Sequence, residues 1–94
     1  MDTLGQSAIT INAYFHGEIK TTIGISHMPI VLSPNSTIEI FLYILFKSYP
    51  ELENKFPPGT LGFTVNQVRP TEEQTLLNND KIDFYYYPPK FSQY

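Results

Sequence analysis

A chain of 94 residues with 41% hydrophobic and 15% aromatic side chains can bury one core, which excludes intrinsic disorder and leaves too little surface for a second core. The absence of cysteine excludes disulfides, thiolate metal sites and a cysteine nucleophile. Six scattered Lys and Arg in a net charge of −3 lack the clustered basic face that nucleic acid demands. No apolar run approaches the ~20 residues that span a bilayer. Met1-Asp2-Thr3-Leu4-Gly5-Gln6 carries no basic segment of the kind that opens a signal peptide, so the expected location is cytoplasmic. One domain over 1–94 is expected, with 1–7 and 90–94 as flexible ends.

In chain order, the first element is a strand over 9–15. Ile9, Ile11, Ala13 and Phe15 alternate with Thr10, Asn12 and Tyr14, a period of two. His16-Gly17-Glu18 offers a turn, and 19–25 reads as a loop or the start of a second strand. Residues 28–32 form that strand, and Pro29 within it suits an edge or a strand start, because proline cannot donate to a ladder. Ser36-Thr37-Ile38-Glu39 has the form of a capping box and predicts a helix to Ser48. Ile38, Leu42, Leu45 and Phe46 make its stripe, and apolar Ile40, Phe41, Tyr43 and Ile44 suggest burial on more than one side. Tyr49-Pro50 ends it.

A loop then runs over 51–60, followed by a strand at 61–65, a turn at Asn66-Gln67 and a short strand at Val68-Arg69 that Pro70 stops. Thr71-Glu72-Glu73-Gln74 suits a single helical turn, and Asn78-Asn79-Asp80 is a turn signal. The last strand covers 81–87, with Ile82, Phe84 and Tyr86 on one face and Asp83, Tyr85 and Tyr87 on the other; Pro88-Pro89 ends it. One helix cannot bury its stripe alone, so a mixed sheet packs against it with its other face in water, an α+β class.

The second half resembles the MoaD/ThiS-type sulfur carriers, the family of the molybdopterin-synthase small subunit. The residues that carry the likeness are Thr64-Val65-Asn66-Gln67, Leu76 or Leu77, Asp80-Lys81-Ile82-Asp83-Phe84 and Pro88-Pro89, with Ser36-Thr37-Ile38-Glu39 at the helix start. The likeness spans about 9–89. It implies a β-grasp (ubiquitin-like) fold, a mixed sheet of four to five strands wrapped around one central helix. Two departures stand out. The aromatic strand runs one residue longer before Pro-Pro, which suggests a bulge near Tyr85–Tyr87. The family also ends in Gly-Gly, whereas no two of Gly5, Gly17, Gly24, Gly59 and Gly62 adjoin here and the sequence closes on Ser92-Gln93-Tyr94.

A carrier of this type threads its tail into an activating enzyme, and glycine allows that close approach. Phe91, Gln93 and Tyr94 are too bulky, so adenylation by a standard activating enzyme is not expected. The resemblance implies instead a non-conjugating interaction or accessory module. Its larger partner would be a cofactor-biosynthesis enzyme or an oxidoreductase subunit, and a homodimer through an exposed sheet edge is a further arrangement. A sulfur carrier with an atypical terminus is the alternative, and a small enzyme the remote one.

The expected partner-binding residues are Tyr14, Tyr85 and Tyr87 on the outer sheet face, then Pro88, Pro89, Phe91 and Tyr94. The competing reading for the three sheet tyrosines is cross-strand pairing that only stabilises the sheet; for Phe91 and Tyr94 it is packing back onto the domain. His16 and His27 read as surface histidines, and no metal or cofactor site is expected. Glu72-Glu73 reads as a solvated pair, and neither it nor Asp80 is expected to be catalytic.

Overall fold

The computed structural model describes residues 7–56, 59–71 and 73–87. Strand β1 (Ile9–Phe15) leads into a short helix α1 (Gly17–Ile23), then strand β2 (His27–Leu32), helix α2 (Ile38–Ser48), helix α3 (Pro50–Lys55), strand β3 (Leu61–Val65) and strand β4 (Lys81–Tyr86). The four strands form one sheet in the order β2-β1-β4-β3. The β1–β2 and β3–β4 pairs are antiparallel, and the central β1–β4 pair is parallel. A parallel pair needs a long crossover, and α2, α3 and β3 all lie within it.

The alternation of β1 decides which face is inside. Ile11, Ala13 and Phe15 are at most 1% exposed, and with Ile82 and Phe84 of β4 they line the centre of the sheet. Across from them, α2 contributes Ile38, Phe41 and Leu45, all buried. Phe84 is the hub, with its ring stacked on Phe15 and Phe41 and tilted against Phe63. The buried stripe of α2 is thus centred on Phe41 rather than Leu42, which is half-buried on the flank together with Ile44 and Phe46.

Several sequence expectations need correction. The link between the first two strands is not a turn and loop but helix α1. Its stop is explicit: Gly24 takes φ +83° and its N–H bonds the Lys20 carbonyl. The β-branched run Thr21-Thr22-Ile23 hid it, and the Thr21 and Thr22 hydroxyls bond back to the carbonyls of Gly17 and Glu18. The stretch expected as loop after Pro50 opens with helix α3, with proline in its first turn, acids at Glu51 and Glu53, and Lys55 in the last turn. The cap of α2 is Thr37, whose hydroxyl accepts from Ile40 N–H (3.4 Å). Ser36 is buried instead and donates to the Ser33 carbonyl (2.7 Å). Val68 is not part of a strand: it closes a two-residue hairpin with Val65, the left-handed Asn66 (φ 51°) and Gln67 (φ 69°) forming the turn. No bulge interrupts β4, since its register with β3 is continuous from Ile82 to Tyr86.

Asp80, the last residue of the expected turn, is nearly buried. It is 8% exposed and anchors the approach to β4. Its Oδ1 accepts from Asn66 Nδ2 (2.9 Å) and its Oδ2 from Leu77 N–H (2.8 Å). Asn66 Oδ1 in turn accepts from Lys81 N–H (3.0 Å). The Asn and Asp of the quoted motif are therefore bound to each other, tying the end of β3 to the start of β4.

Candidate functional site

The sheet face turned away from the helices is the candidate site. Period-two geometry puts Thr10, Asn12 and Tyr14 of β1 on it, with His27, Pro29 and Val31 of β2, Lys81, Asp83 and Tyr85 of β4, and Gly62 and Thr64 of β3. The strand register lines up His27, Tyr14, Asp83 and Thr64 as one row across all four strands. A second row holds Pro29, Asn12 and Lys81.

Each expected tyrosine has a distinct neighbour. Tyr14 stacks on His27 at 4.5 Å between ring centroids, and Lys81 Nζ stands 4.9 Å from the centre of the Tyr14 ring. His27 Nε2 donates to Asn12 Oδ1 (3.2 Å). Tyr85 stacks on His16 at 5.0 Å. His16 Nε2 donates to Asp83 Oδ1 (2.8 Å), an acceptor-only carboxylate that places the proton on Nε2. Tyr87 lies over Gly62, where a Cβ would collide with its ring. Tyr87 is 55% exposed, whereas Tyr14 and Tyr85 are half-buried. Cross-strand aromatic pairing therefore holds for Tyr14, with a histidine as its partner. Pro88, Pro89, Phe91 and Tyr94, and Glu72 of the acidic pair, lie outside the described residues.

The histidines are the residues that sequence reasoning undervalued. His16 continues the alternation of Thr10, Asn12 and Tyr14, so its face was readable from parity. His27 depends on the β1–β2 register, which α1 sets and composition cannot. Asp83 was assigned to the outer face, but its burial at 4% exposure follows from the His16–Tyr85 pair beside it. Among the described residues no group of three or more His, Asp or Glu is placed to hold a metal ion. No helix among them is long and apolar enough to cross a membrane.

The opposite edge carries an apolar cleft of about 480 Å³ between α2, α3 and β3, lined by Leu42, Phe46, Glu53, Phe56, Gly59, Leu61 and Phe63. Among the described residues that line it, Glu53 is the one ionisable side chain and there is no nucleophile.

No family model matches the chain. No curated protein matches it either. Solved structures do. A protein described as molybdopterin converting factor subunit 1 of Pyrococcus furiosus superposes with a TM-score of 0.76 at 9% identity, covering 85% of this chain and 99% of that one. Small archaeal modifier protein 1 of Haloferax volcanii gives 0.74 at 12% identity, covering 85% and 99%. The solution structure of small archaeal modifier protein 1 of Methanosarcina acetivorans gives 0.67 at 15% identity, covering 86% and 95%. The chain has the β-grasp, ubiquitin-like fold. Its structural neighbours are MoaD-like and small-modifier proteins, which agrees with the likeness read from Asn66, Asp80 and the aromatic last strand. Among the described residues, no helix covers the outer face of this β-grasp sheet.

Proposed function

We propose that the chain is a non-conjugating MoaD/ThiS-like protein that acts as a protein-interaction or accessory module. It docks on a larger protein through its outer sheet face and the residues after Tyr87. The observation that carries this is the aromatic surface itself: Tyr14, Tyr85 and Tyr87 stand on one open sheet face, two of them backed by stacked histidines. Tyrosine supplies contact area with little side-chain entropy to lose, and held rings lose less still. Partner-binding roles for Tyr14, Tyr85, Tyr87, Pro88, Pro89, Phe91 and Tyr94 belong to this proposal. So does the partner class, a cofactor-biosynthesis enzyme or oxidoreductase subunit in the cytoplasm.

The second reading is a sulfur carrier, favoured by the likeness to a converting-factor subunit. Incubation of the chain with an activating enzyme and ATP, followed by intact-mass measurement, separates the two. An unchanged mass is expected, and an adenylate or thiocarboxylate adduct would overturn the reading. The docking part is tested by isolating the native protein and measuring its stoichiometry. Recovery of the chain alone, with no partner at comparable amount, counts against it.

A further inference from the structure

We infer that the apolar cleft between α2, α3 and β3 seats the chain's own residues 88–94, with Phe91 entering it and Lys90 facing Glu53. This goes beyond the docking reading, because it concerns the chain before any partner is bound. The point where the described chain leaves the sheet carries it. Tyr86 pairs with Leu61, and Tyr87 N–H donates to the Thr60 carbonyl (2.6 Å). Gly59 and Leu61, on either side of Thr60, both line the cleft. The Tyr86 ring meets Phe56, a third lining residue, edge-on at 5.1 Å. The segment after Tyr87 therefore starts about one strand spacing, ~5 Å, from the near rim. An added Cβ at Gly59 would meet nothing, so the rim is open on that side. The four steps from Tyr87 to Phe91 span at most about 14 Å. That is enough to round the edge strand β3 and enter the cleft behind it.

The chemistry of the segment matches the cleft. Leu42, Phe46, Leu61 and Phe63 line it half-buried, with apolar area still to cover. Its volume of about 480 Å³ lies within the roughly 300–1,000 Å³ of sites that enclose small ligands, so it has room for an aromatic ring. Glu53 on its wall is exposed, and Lys90 is the one cation among residues 88–94 and adjoins Phe91. Proline restricts its own φ, so Pro88-Pro89 leave fewer dihedrals to order on seating. A tether this short raises the local concentration of Phe91 at the cleft to the millimolar range, so a modest contact fills it. A partner that uses Phe91 must first lift it out.

The test is solution NMR on the full chain, reading through-space contacts from the Phe91 ring and the backbone order parameter at Phe91. Contacts to the methyl groups of Leu42 and Leu61 are expected, with an order parameter near the rigid value of about 0.85. Phe91→Ala is expected to shift those methyl signals and to leave the amides of Tyr14, Lys81 and Tyr85 on the outer face in place. Lys90→Glu is expected to weaken the contacts about twofold, and Glu53→Lys in the same chain to restore them. The core methyl signals report whether each variant keeps its fold. An order parameter below about 0.6 at Phe91, or Phe91 contacts confined to the outer face, would overturn the inference. So would contacts to Leu42 and Phe46 from Pro57 or Pro58 in place of Phe91. Contacts found only between isotopically distinct copies would assign the cleft to a second copy's segment, and that too overturns it. Docking is judged separately, by native stoichiometry, and either result there leaves this one readable.

Discussion

Asp80 is a residue whose composition suggests surface and whose bonds say otherwise. Its two carboxylate oxygens satisfy Asn66 Nδ2 and Leu77 N–H in a nearly buried position. Replacing it by alanine removes the acceptor of both bonds, but Asn66 and Leu77 are exposed residues whose donors can turn to water, so the loss is that of two ordinary hydrogen bonds at about 0.5–1.5 kcal/mol each. Asp80→Ala is expected to lower stability by about 1–3 kcal/mol in urea unfolding, while Asp80→Asn, which keeps one acceptor, loses less. Gly62 is a second such residue. Its backbone is ordinary, but Tyr87 occupies the space of its missing side chain. The ring is the far end of a flexible side chain, so Gly62→Ala displaces Tyr87 rather than the strand. In a double-mutant cycle, Gly62→Ala is expected to be costlier in the native background than beside Tyr87→Ala, by about 0.5–1 kcal/mol of coupling. Additive effects would show that the ring does not rest on the glycine.

At the scale of elements, the strands and α2 were legible because their periods are clean. Ile9 to Phe15 alternates without a break, and the apolar run from Ile38 to Phe46 has no breaker. Helices α1 and α3 were not legible, for different reasons. The β-branched residues of α1 favour strand, and tertiary contact outweighs them through the buried Ile19. Helix α3 has six residues and one buried side chain, Leu52, too few to show a period. The cap of α2 slid by one residue because Ser36 and Thr37 are equally able acceptors, and Ser36 is drawn inward to Ser33. Thr37→Ala is therefore expected to destabilise by about 0.5–1 kcal/mol, toward the low end for a long cap bond. At Gly24 an added Cβ meets nothing, so only the left-handed backbone resists it. Gly24→Ala is expected to cost about 1 kcal/mol and Gly24→Asn less. Equal melting temperatures for these two variants would contradict the αL cap. The site was half legible: parity placed Tyr14, Tyr85 and Tyr87 on one face, but His27 reached it through a register that depends on α1.

For the whole molecule, the two faces of the sheet divide the work. The inner face is aliphatic and aromatic and packs on α2; the outer face is a polar-aromatic surface held in place by that packing. Phe84 links them, because it sits on β4 between outward Asp83 and Tyr85 and stacks inward on Phe15 and Phe41, within 6.0 Å of each. A chain of this length has a total stability of roughly 5–14 kcal/mol. Phe84→Ala removes a fully buried ring at a cost of about 3–5 kcal/mol. That is a large share of the total, so the variant is expected to unfold at far lower urea and to lose the outer-face geometry with the inner core. Phe84→Leu keeps most of the volume and should lose less. If Phe84→Ala melted like the native chain, the central position of this ring between α2 and the sheet would be wrong. The contrast is Tyr85→Ala, one residue on: it removes the ring stacked on His16 from the outer face and leaves the inner core untouched. It is expected to cost under about 1.5 kcal/mol of stability while weakening whatever docks there, so stability and docking should separate at adjacent residues of one strand.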